Sequence, residues 1–196
     1  MDRAINLLKT HWGYSNFWPQ QGEIIKAVLE GNDTLALLPT GGGKSLCYQI
    51  PGLALEGVCV VISPLIALIQ DQVNNLQEKN IKAIALSSKL NREETIIAFD
   101  NLQFGNYKFL YLSPEKLQSA FIQEKLKQLN ISVIAIDEAH CISQWGHDFR
   151  PSYLKLKILR ELKPKARIIA LTATATGQVL KDIQSNLALG GVKIFK

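Results

Sequence analysis

Short apolar runs alternate along this chain with longer segments of helical hydrophobic spacing. The runs are continuously apolar, which is typical of strands buried on both faces of a sheet. They predict strands at Thr34–Leu38, Val58–Ile62, Ala83–Leu86, Phe109–Leu112, Val133–Ile136, Ile168–Leu171 and Val192–Phe195. The helical segments are Gln21–Glu30, Lys44–Ala54, Ile66–Lys79, Arg92–Phe104, Glu115–Leu129, Ser152–Glu161 and Gln178–Leu187.

This alternation of strand and helix predicts an α/β fold, with a mostly parallel central sheet and helices on both faces. In such sheets, ligands bind outside the carboxyl ends of the strands. The chain has 196 residues, of which 47% are hydrophobic. That is enough for one packed domain and too short for two ordinary ones.

A glycine-rich loop follows the first predicted strand, where Thr40, Gly41, Gly42, Gly43, Lys44 and Ser45 lead into a predicted helix. Glycines let backbone N–H groups approach phosphate oxygens, and a helix N-terminus favours anions. We expect Lys44 to reach the β- and γ-phosphates of a nucleotide and the Ser45 hydroxyl to bind Mg²⁺. The strict motif has glycine at the position of Leu38, a departure that leaves these contacts intact.

An acidic pair, Asp137 and Glu138, directly follows the predicted strand Val133–Ile136. We expect Asp137 to hold Mg²⁺ through water, and Glu138 to orient and deprotonate the attacking water. An isolated acidic pair is more often a solvated strand end, but the phosphate loop favours catalysis. Lys44 and Glu138 are therefore the candidate catalytic residues. His140 lies too far along to be a metal ligand and is interpreted as a coupling residue.

The net charge of +5 is concentrated in the second half of the chain, where residues 101–196 carry 14 Lys+Arg against 7 Asp+Glu. Most of the excess positive charge lies between residues 150 and 167, where Glu161 is the one acidic residue. The basic residues of this run are Arg150, Lys155, Lys157, Arg160, Lys163, Lys165 and Arg167. This run is either a solvated helix face or a surface that contacts a phosphate backbone. Both interpretations stay open at this stage.

The remaining composition points to a reduced, membrane-free environment. Cys47, Cys59 and Cys141 are scattered without CxxC spacing, so we expect reduced thiols rather than a zinc site or disulfides. There is no stretch of 18 apolar residues and no signal-peptide core at the N-terminus. We therefore expect a cytoplasmic, nucleoid-associated protein with no membrane partner.

Four segments carry a family resemblance: residues 41–51, Ser63-Pro64-Leu65, residues 137–151 and residues 171–176. Together they resemble the first RecA-like domain of a RecQ-family DNA helicase of superfamily two, from about Leu8 to Leu189. The continuation after the acidic pair, as far as Pro151, is the most specific part. The resemblance implies a RecA-like P-loop fold and ATP with Mg²⁺ as cofactors. It also implies 3′-to-5′ unwinding of DNA in recombination and repair.

The resemblance also assigns residues 1–30 to adenine recognition. Within Gly13–Gln21, Gln21 would hydrogen-bond the adenine edge and Tyr14 would lie against the base. Trp18 stands where the family usually has arginine, so it could stack on adenine but could not pair with a phosphate. The alternative is an aromatic cluster that closes the edge of the domain.

The same resemblance assigns DNA contact and coupling to the loops that follow the strands. The aromatic-rich loop 141–153 would sense single-stranded DNA by base stacking. The residues implied are Ser63, Ser113, His140, Gln144, Trp145, His147, Phe149, Arg150, Thr172 and Thr174. Structural alternatives to these DNA roles stay open. Capping of helices or turns could be the whole role of the hydroxyl side chains, and Trp145 and Phe149 could belong to the core.

Helicases of this family hydrolyse ATP between two RecA-like domains, and arginines of the second stabilise the transition state. Residues 1–196 contain no counterpart of that second domain, of the zinc module or of a C-terminal domain. We therefore expect one ATP-binding domain that alone binds ATP–Mg²⁺ weakly, hydrolyses it poorly and does not unwind DNA. The alternatives are a stand-alone nucleotide-binding switch module and an RNA helicase domain. The segment Gln144–Pro151 favours DNA, by resemblance.

Overall fold

The computed structural model describes residues 1–196 as one seven-stranded sheet in which all paired strands are parallel. The strands are β1 (Thr34–Leu37), β2 (Val58–Ile62), β3 (Ala83–Ala85), β4 (Phe109–Leu112), β5 (Ile131–Ile136), β6 (Arg167–Thr172) and β7 (Lys193–Phe195). Their order across the sheet is β3-β4-β2-β5-β6-β1-β7. The predicted α/β class and parallel sheet are confirmed.

Eight α-helices surround the sheet. They are α1 (Asp2–Trp12), α2 (Pro19–Leu29), α3 (Leu46–Ala54), α4 (Ile66–Glu78), α5 (Arg92–Phe104), α6 (Ala120–Gln128), α7 (Ile158–Leu162) and α8 (Gly177–Asn186). None of them combines the length and apolar content that a membrane crossing requires.

Alternate residues of the central strands face two separate cores. In β2, Val60 and Ile62 pack into a core with residues of α5, α6 and α8, whereas Cys59 and Val61 pack with residues of α2, α3 and α4. All five residues of β2 are buried. Because both faces of the sheet are covered, the strands are apolar at every position, which is the pattern seen in the sequence.

Helix α1 is an element that the sequence analysis missed. It buries Ala4 and Leu8 against Ile25 of α2 and Ile50 of α3. Gly13 ends the helix in the left-handed conformation, at a φ of 75°, and donates its N–H to the carbonyl of Lys9. The helix thereby joins the phosphate-loop side of the domain, where it lines the pocket described below.

Two predicted helices are wrong as continuous elements. Residues 115–129 divide at Ser119, whose extended backbone ends the 3-10 helix Lys116–Gln118. The Ser119 hydroxyl then accepts the N–H of Ile122 at 3.4 Å and caps α6. Residues 152–161 likewise begin as a 3-10 helix, Pro151–Lys157, and become α-helical only from Ile158.

The basic run between Arg150 and Arg167 does not form one surface. Arg160 pairs with Asp33 and donates to the carbonyl of Ala166, which makes it a structural residue. Arg150 pairs with Asp148 at 3.3 Å, and Lys163 donates to the carbonyl of Lys127. The exposed members of the run include Lys155, Lys157 and Lys165.

Candidate functional site

The candidate residues meet at one edge of the sheet, because parallel strands all end on the same side. Backbone hydrogen bonds fix this edge: Leu38 N–H donates to the Thr172 carbonyl at 3.0 Å, and Asp137 N–H donates to the Ile62 carbonyl at 2.9 Å. Across neighbouring strands, in spatial order, the edge carries Ser113, Ser63, Asp137, Thr172 and the loop 39–45.

The glycine-rich loop is a tight turn between β1 and α3. Gly41 and Gly43 have φ angles of 82° and 67°, which residues with a side chain rarely adopt. Gly42 donates its N–H to the Pro39 carbonyl at 2.8 Å, and a Cβ at Gly42 would lie 2.8 Å from the same oxygen. The predicted helix start at Lys44 is two residues early, because Ser45 is the N-cap of α3.

Gln21 is buried against this loop rather than open to solvent. Its Oε1 accepts the N–H of Trp18 at 3.0 Å, and its Nε2 donates to the carbonyl of Gly43 at 3.3 Å. A side chain at Gly43 would overlap the Gln21 amide. The structure thus places Gln21 at the phosphate loop, and its contact with adenine stays a prediction.

A pocket of about 410 Å³ opens beside the loop. It lies between α1, two aromatic side chains and the loop glycines Gly41 and Gly43. The aromatic side chains, Tyr14 and Trp18, are 60% and 58% exposed, so both offer a ring face to a planar ligand. The alternative of an aromatic cluster that closes the edge of the domain holds in part, since Trp12 and Phe17 pack against the core of α1, α2 and α3.

The acidic pair is half-buried and concentrates negative charge. Burial and the neighbouring charge of Glu138 raise the pKa of Asp137 to about 6. The positive charge of Lys44 and a hydrogen bond from the Glu138 N–H, at 2.9 Å, oppose this rise in pKa. Lys44 is therefore close enough to Asp137 to influence its ionisation, although the two are 93 positions apart in the sequence.

Glu138 holds a backbone conformation that is unusual for its residue type. Its φ and ψ angles are 50° and 46°, in the left-handed region. This conformation costs roughly 1–2 kcal/mol for a residue with a side chain. Strain of this kind is concentrated at functional sites, and here it turns the chain from β5 into the 3-10 helix Ala139–Ile142.

His140 connects the acidic pair to the end of β6. Its Nδ1 lies 2.8 Å from the Thr172 hydroxyl, and that hydroxyl donates its proton to the Thr174 carbonyl at 3.1 Å. Thr172 must therefore accept from His140, which places a proton on Nδ1. The Glu138 carboxylate lies 3.4 Å from the same nitrogen. Burial lowers the pKa of His140 and the charge of Glu138 opposes this shift, so the net shift favours the neutral ring.

The aromatic-rich loop contacts His140 by ring stacking. The His147 ring lies parallel to His140, with ring centroids 4.3 Å apart. Trp145 is 76% exposed, so the alternative that it belongs to the core is wrong. Phe149 is half-buried and Gln144 is exposed. A pocket of about 330 Å³ lies between Trp145–His147 and Thr174–Thr176.

The family of the chain is decided by comparison with known proteins. The model of the DEAD/DEAH box helicases matches residues 18–183. The chain belongs to the DEAD/DEAH box helicase family. The match spans the glycine-rich loop, the acidic pair and the aromatic-rich loop.

The relatives of this DEAD/DEAH domain include RecQ helicases. It is 50% identical over 190 residues to "Probable ATP-dependent DNA helicase RecS" of Bacillus subtilis (strain 168), covering 96% of this chain and 38% of that protein. It is 48% identical over 189 residues to "ATP-dependent DNA helicase RecQ" of the same organism, covering 95% and 32%. The predicted resemblance to RecQ helicases is confirmed. The chain spans about a third of the length of these curated relatives.

A solved structure supports the fold of this helicase domain. The DUF1998 helicase MrfA bound to DNA and AMPPNP superposes with a TM-score of 0.78 at 20% identity, over 100% of this chain and 29% of that one. At this identity the likeness concerns the fold alone, and it confirms the RecA-like architecture.

Sequence reasoning missed a largely buried polar cluster beneath the phosphate loop of the helicase domain. It consists of Tyr48, Gln49, Gln72 and Tyr111, and it reaches the Ser45 hydroxyl through Gln72. One signal could have indicated it. Gln72 is the polar residue on the α4 face that otherwise carries Ile69, Val73 and Leu76.

Asp137→Asn is expected to stabilise the metal-free domain at pH 8. The pKa of Asp137 is raised from 3.8 to about 6 in the folded state, so ionisation disfavours folding. This penalty is absent below about pH 4, grows as the pH rises to about 6 and is complete above it. The variant should raise the free energy of unfolding by about 2–3 kcal/mol at pH 8 and by less than about 1 kcal/mol at pH 4. Urea denaturation in EDTA measures the free energy of unfolding at both pH values.

The matched control for this prediction is Asp100→Asn, since Asp100 is exposed on α5. A free energy of unfolding for Asp137→Asn no higher than for Asp100→Asn at pH 8 would contradict the prediction.

Proposed function

We propose that this domain binds and hydrolyses ATP with Mg²⁺ as the first RecA-like motor domain of a 3′-to-5′ DNA helicase. The observation that carries the proposal is the meeting of the Lys44 loop with Asp137 and Glu138 at one sheet edge. The electrostatic effect of Lys44 on the pKa of Asp137 supports their proximity. Membership of the DEAD/DEAH box helicases supports the same chemistry.

In this proposal the substrate ATP lies between the aromatic pocket and the acidic pair. Tyr14 and Trp18 stack on adenine, and Gln21 binds its edge. Phosphate contacts come from Thr40, the three loop glycines and Lys44. The Gly42 N–H donates to Pro39 in the structure, so that turn must open for Gly42 to contribute.

Mg²⁺ fits the donors at this edge. The Ser45 hydroxyl and the Asp137 carboxylate are oxygen ligands of the kind that Mg²⁺ prefers. The raised pKa of Asp137 marks a buried carboxylate whose charge a cation would balance. When bound, Mg²⁺ neutralises negative charge on the phosphates. Glu138 accepts the proton of the attacking water.

DNA is the proposed nucleic-acid partner. The relatives at 50% and 48% identity are named DNA helicases, which favours DNA over RNA. Trp145 offers an exposed ring for base stacking, with Gln144, His147, Phe149 and Arg150 beside it. Ser113 provides a hydroxyl group for phosphates at the same edge, and Ser63, which is 5% exposed, would have to be uncovered to do so.

The contacts of His140 supply a route from DNA to the hydrolysis site. Its ring touches His147 on one face, and its Nδ1 lies near both Thr172 and Glu138. A shift of the aromatic-rich loop would therefore move groups beside the carboxylate that activates water. We assign His140, Thr172 and Thr174 to this coupling.

The complete helicase would add a second RecA-like domain whose arginines stabilise the transition state. Residues 1–196 then form a single ATP-binding domain, with residues 1–30 recognising adenine. Strand separation, with roles in recombination and repair, belongs to the longer protein. We propose that it acts at the chromosome, in the cytoplasmic nucleoid.

Single-stranded DNA is expected to stimulate phosphate release from ATP by this domain, and Trp145→Ala is expected to weaken the effect. Loss of one stacking contact costs about 1–3 kcal/mol, so the DNA concentration for half-maximal stimulation should rise about 5- to 100-fold. A coupled phosphate-release assay with oligothymidine measures this concentration.

Phe104→Ala is the matched control, because Phe104 is also 76% exposed but lies at the end of α5. An equal DNA requirement in the two variants would contradict the DNA role of Trp145. We also expect no strand displacement by the 196-residue chain alone, so robust unwinding in a forked-duplex assay would overturn the need for a second domain.

A further inference from the structure

A half-buried amide in α4, that of Gln72, touches the proposed Mg²⁺ ligand of the phosphate loop. The Nε2 group of Gln72 donates to the Ser45 hydroxyl at 3.2 Å. Its Oε1 accepts from the Tyr48 hydroxyl at 3.3 Å, from Gln49 Nε2 at 3.3 Å and from the Tyr111 hydroxyl at 3.4 Å. Because the N–H₂ group of Gln49 can only donate, its contact holds the amide oxygen of Gln72 on that side, and the N–H₂ group of Gln72 faces Ser45.

The partners of Gln72 are fixed and uncharged. Tyr48, Gln49 and Tyr111 are 2%, 6% and 1% exposed, and they lie on α3 and β4. Burial raises the pKa of both tyrosine hydroxyls far above their ordinary value, so both keep their protons. A buried polar network whose members all have partners favours a single arrangement.

The hydrogen bond from Gln72 is compatible with metal binding by Ser45. A serine hydroxyl has one proton and two lone pairs. The Gln72 amide occupies one lone pair, which leaves the other for a cation. The direction of the free lone pair is therefore set by the position of the amide.

We propose that Gln72 is a positioning residue that orients the Ser45 hydroxyl for Mg²⁺. This inference rests on the proposed function, in which Ser45 is a Mg²⁺ ligand. Gln72 lies six positions after Ile66, where α4 begins, and α4 follows the loop of Ser63. The same amide therefore ties the metal ligand to the helix next to a proposed DNA contact.

Gln72→Met is the direct test, because methionine is similar in size and cannot donate a hydrogen bond. The measurement is a titration with Mg²⁺ of the binding of a fluorescent ATP analogue. A neutral hydrogen bond corresponds to about a five- to tenfold effect, so the Mg²⁺ concentration for half-maximal binding should rise by that factor. Binding of the analogue in EDTA should stay unchanged, which a general packing defect would not allow.

Gln70→Met is the matched control, since the Gln70 amide is exposed on the same helix and contacts Asn74. Tyr111→Phe is a second variant that keeps Gln72 but removes one donor to its oxygen, and it should raise the Mg²⁺ requirement by a smaller factor. If Gln72→Met fails to fold by circular dichroism, Tyr111→Phe decides the question.

The inference is overturned if Gln72→Met needs the same Mg²⁺ concentration for half-maximal binding as Gln70→Met. If Gln72→Met does not fold, the same comparison is made between Tyr111→Phe and Gln70→Met. Failure of the proposed function would give a different result from failure of the inference about Gln72. If Mg²⁺ has no effect on binding by the unchanged chain, the metal assignment of Ser45 is itself wrong, and the role of Gln72 falls with it.

Discussion

Replacing Glu138 by glutamine is expected to lower the rate of ATP hydrolysis by at least about 100-fold, the lower end of the effect of a general base. Glutamine keeps the size of the side chain and removes the group that accepts the proton of water. The left-handed backbone at Glu138 and its neighbour His140 should persist. Nucleotide binding should therefore survive in this variant.

The measurement is phosphate release at saturating ATP, with a binding titration on the same preparation. Glu124→Gln, an exposed residue of α6, provides the matched control for loss of a carboxylate. A Glu138→Gln rate equal to that of Glu124→Gln would remove Glu138 from the chemistry. Loss of both binding and hydrolysis would instead indicate a structural role.

Replacing Lys44 by alanine is expected to impair nucleotide binding as well as hydrolysis. Removing a charged hydrogen-bond donor costs about 1.5–3 kcal/mol, or roughly 10- to 100-fold in affinity. The loss of transition-state stabilisation lowers the hydrolysis rate by about 100- to 1,000-fold. The pattern differs from that of Glu138→Gln, in which binding is retained.

Lys44→Ala has a second consequence, because Lys44 opposes the rise in the pKa of Asp137. Without the lysine, we expect the pKa of Asp137 to rise further, which carbon-detected NMR of the carboxyl group can follow. Lys181→Ala, on the exposed face of α8, controls for the loss of a positive charge. Unchanged ATP affinity relative to Lys181→Ala would contradict the assignment of Lys44 to the phosphates.

The sheet was predictable because each of its strands is marked by a local apolar run in the sequence. Strands covered on both faces become uninterrupted apolar runs, and the predicted bounds of β2 and β4 match the structure. The break at Ser119 was not predictable from periodicity, because the apolar residues Leu117 and Phe121, four positions apart, continue the helical spacing across it. A change in backbone direction at one residue leaves that pattern intact.

The candidate site was predictable where its residues are adjacent in the chain. Lys44 and Ser45 share one motif, and Asp137 and Glu138 share another, so topology alone brings the two motifs to one edge. The Ser45 to Gln72 contact joins residues 27 positions apart, and α1 lines the pocket from before the first motif. Such contacts depend on how helices pack, and they produce little recognisable pattern in the local sequence.

Calorimetric titration of ATP into the chain measures whether this sheet edge is an ATP–Mg²⁺ site. Titrations at pH 8 with Mg²⁺ and with EDTA should both be compared with Lys44→Ala. We expect one ATP per chain, tighter binding with Mg²⁺ than with EDTA, and a large loss of affinity in the variant. Absence of saturable binding, or equal affinity in Lys44→Ala, would contradict this expectation.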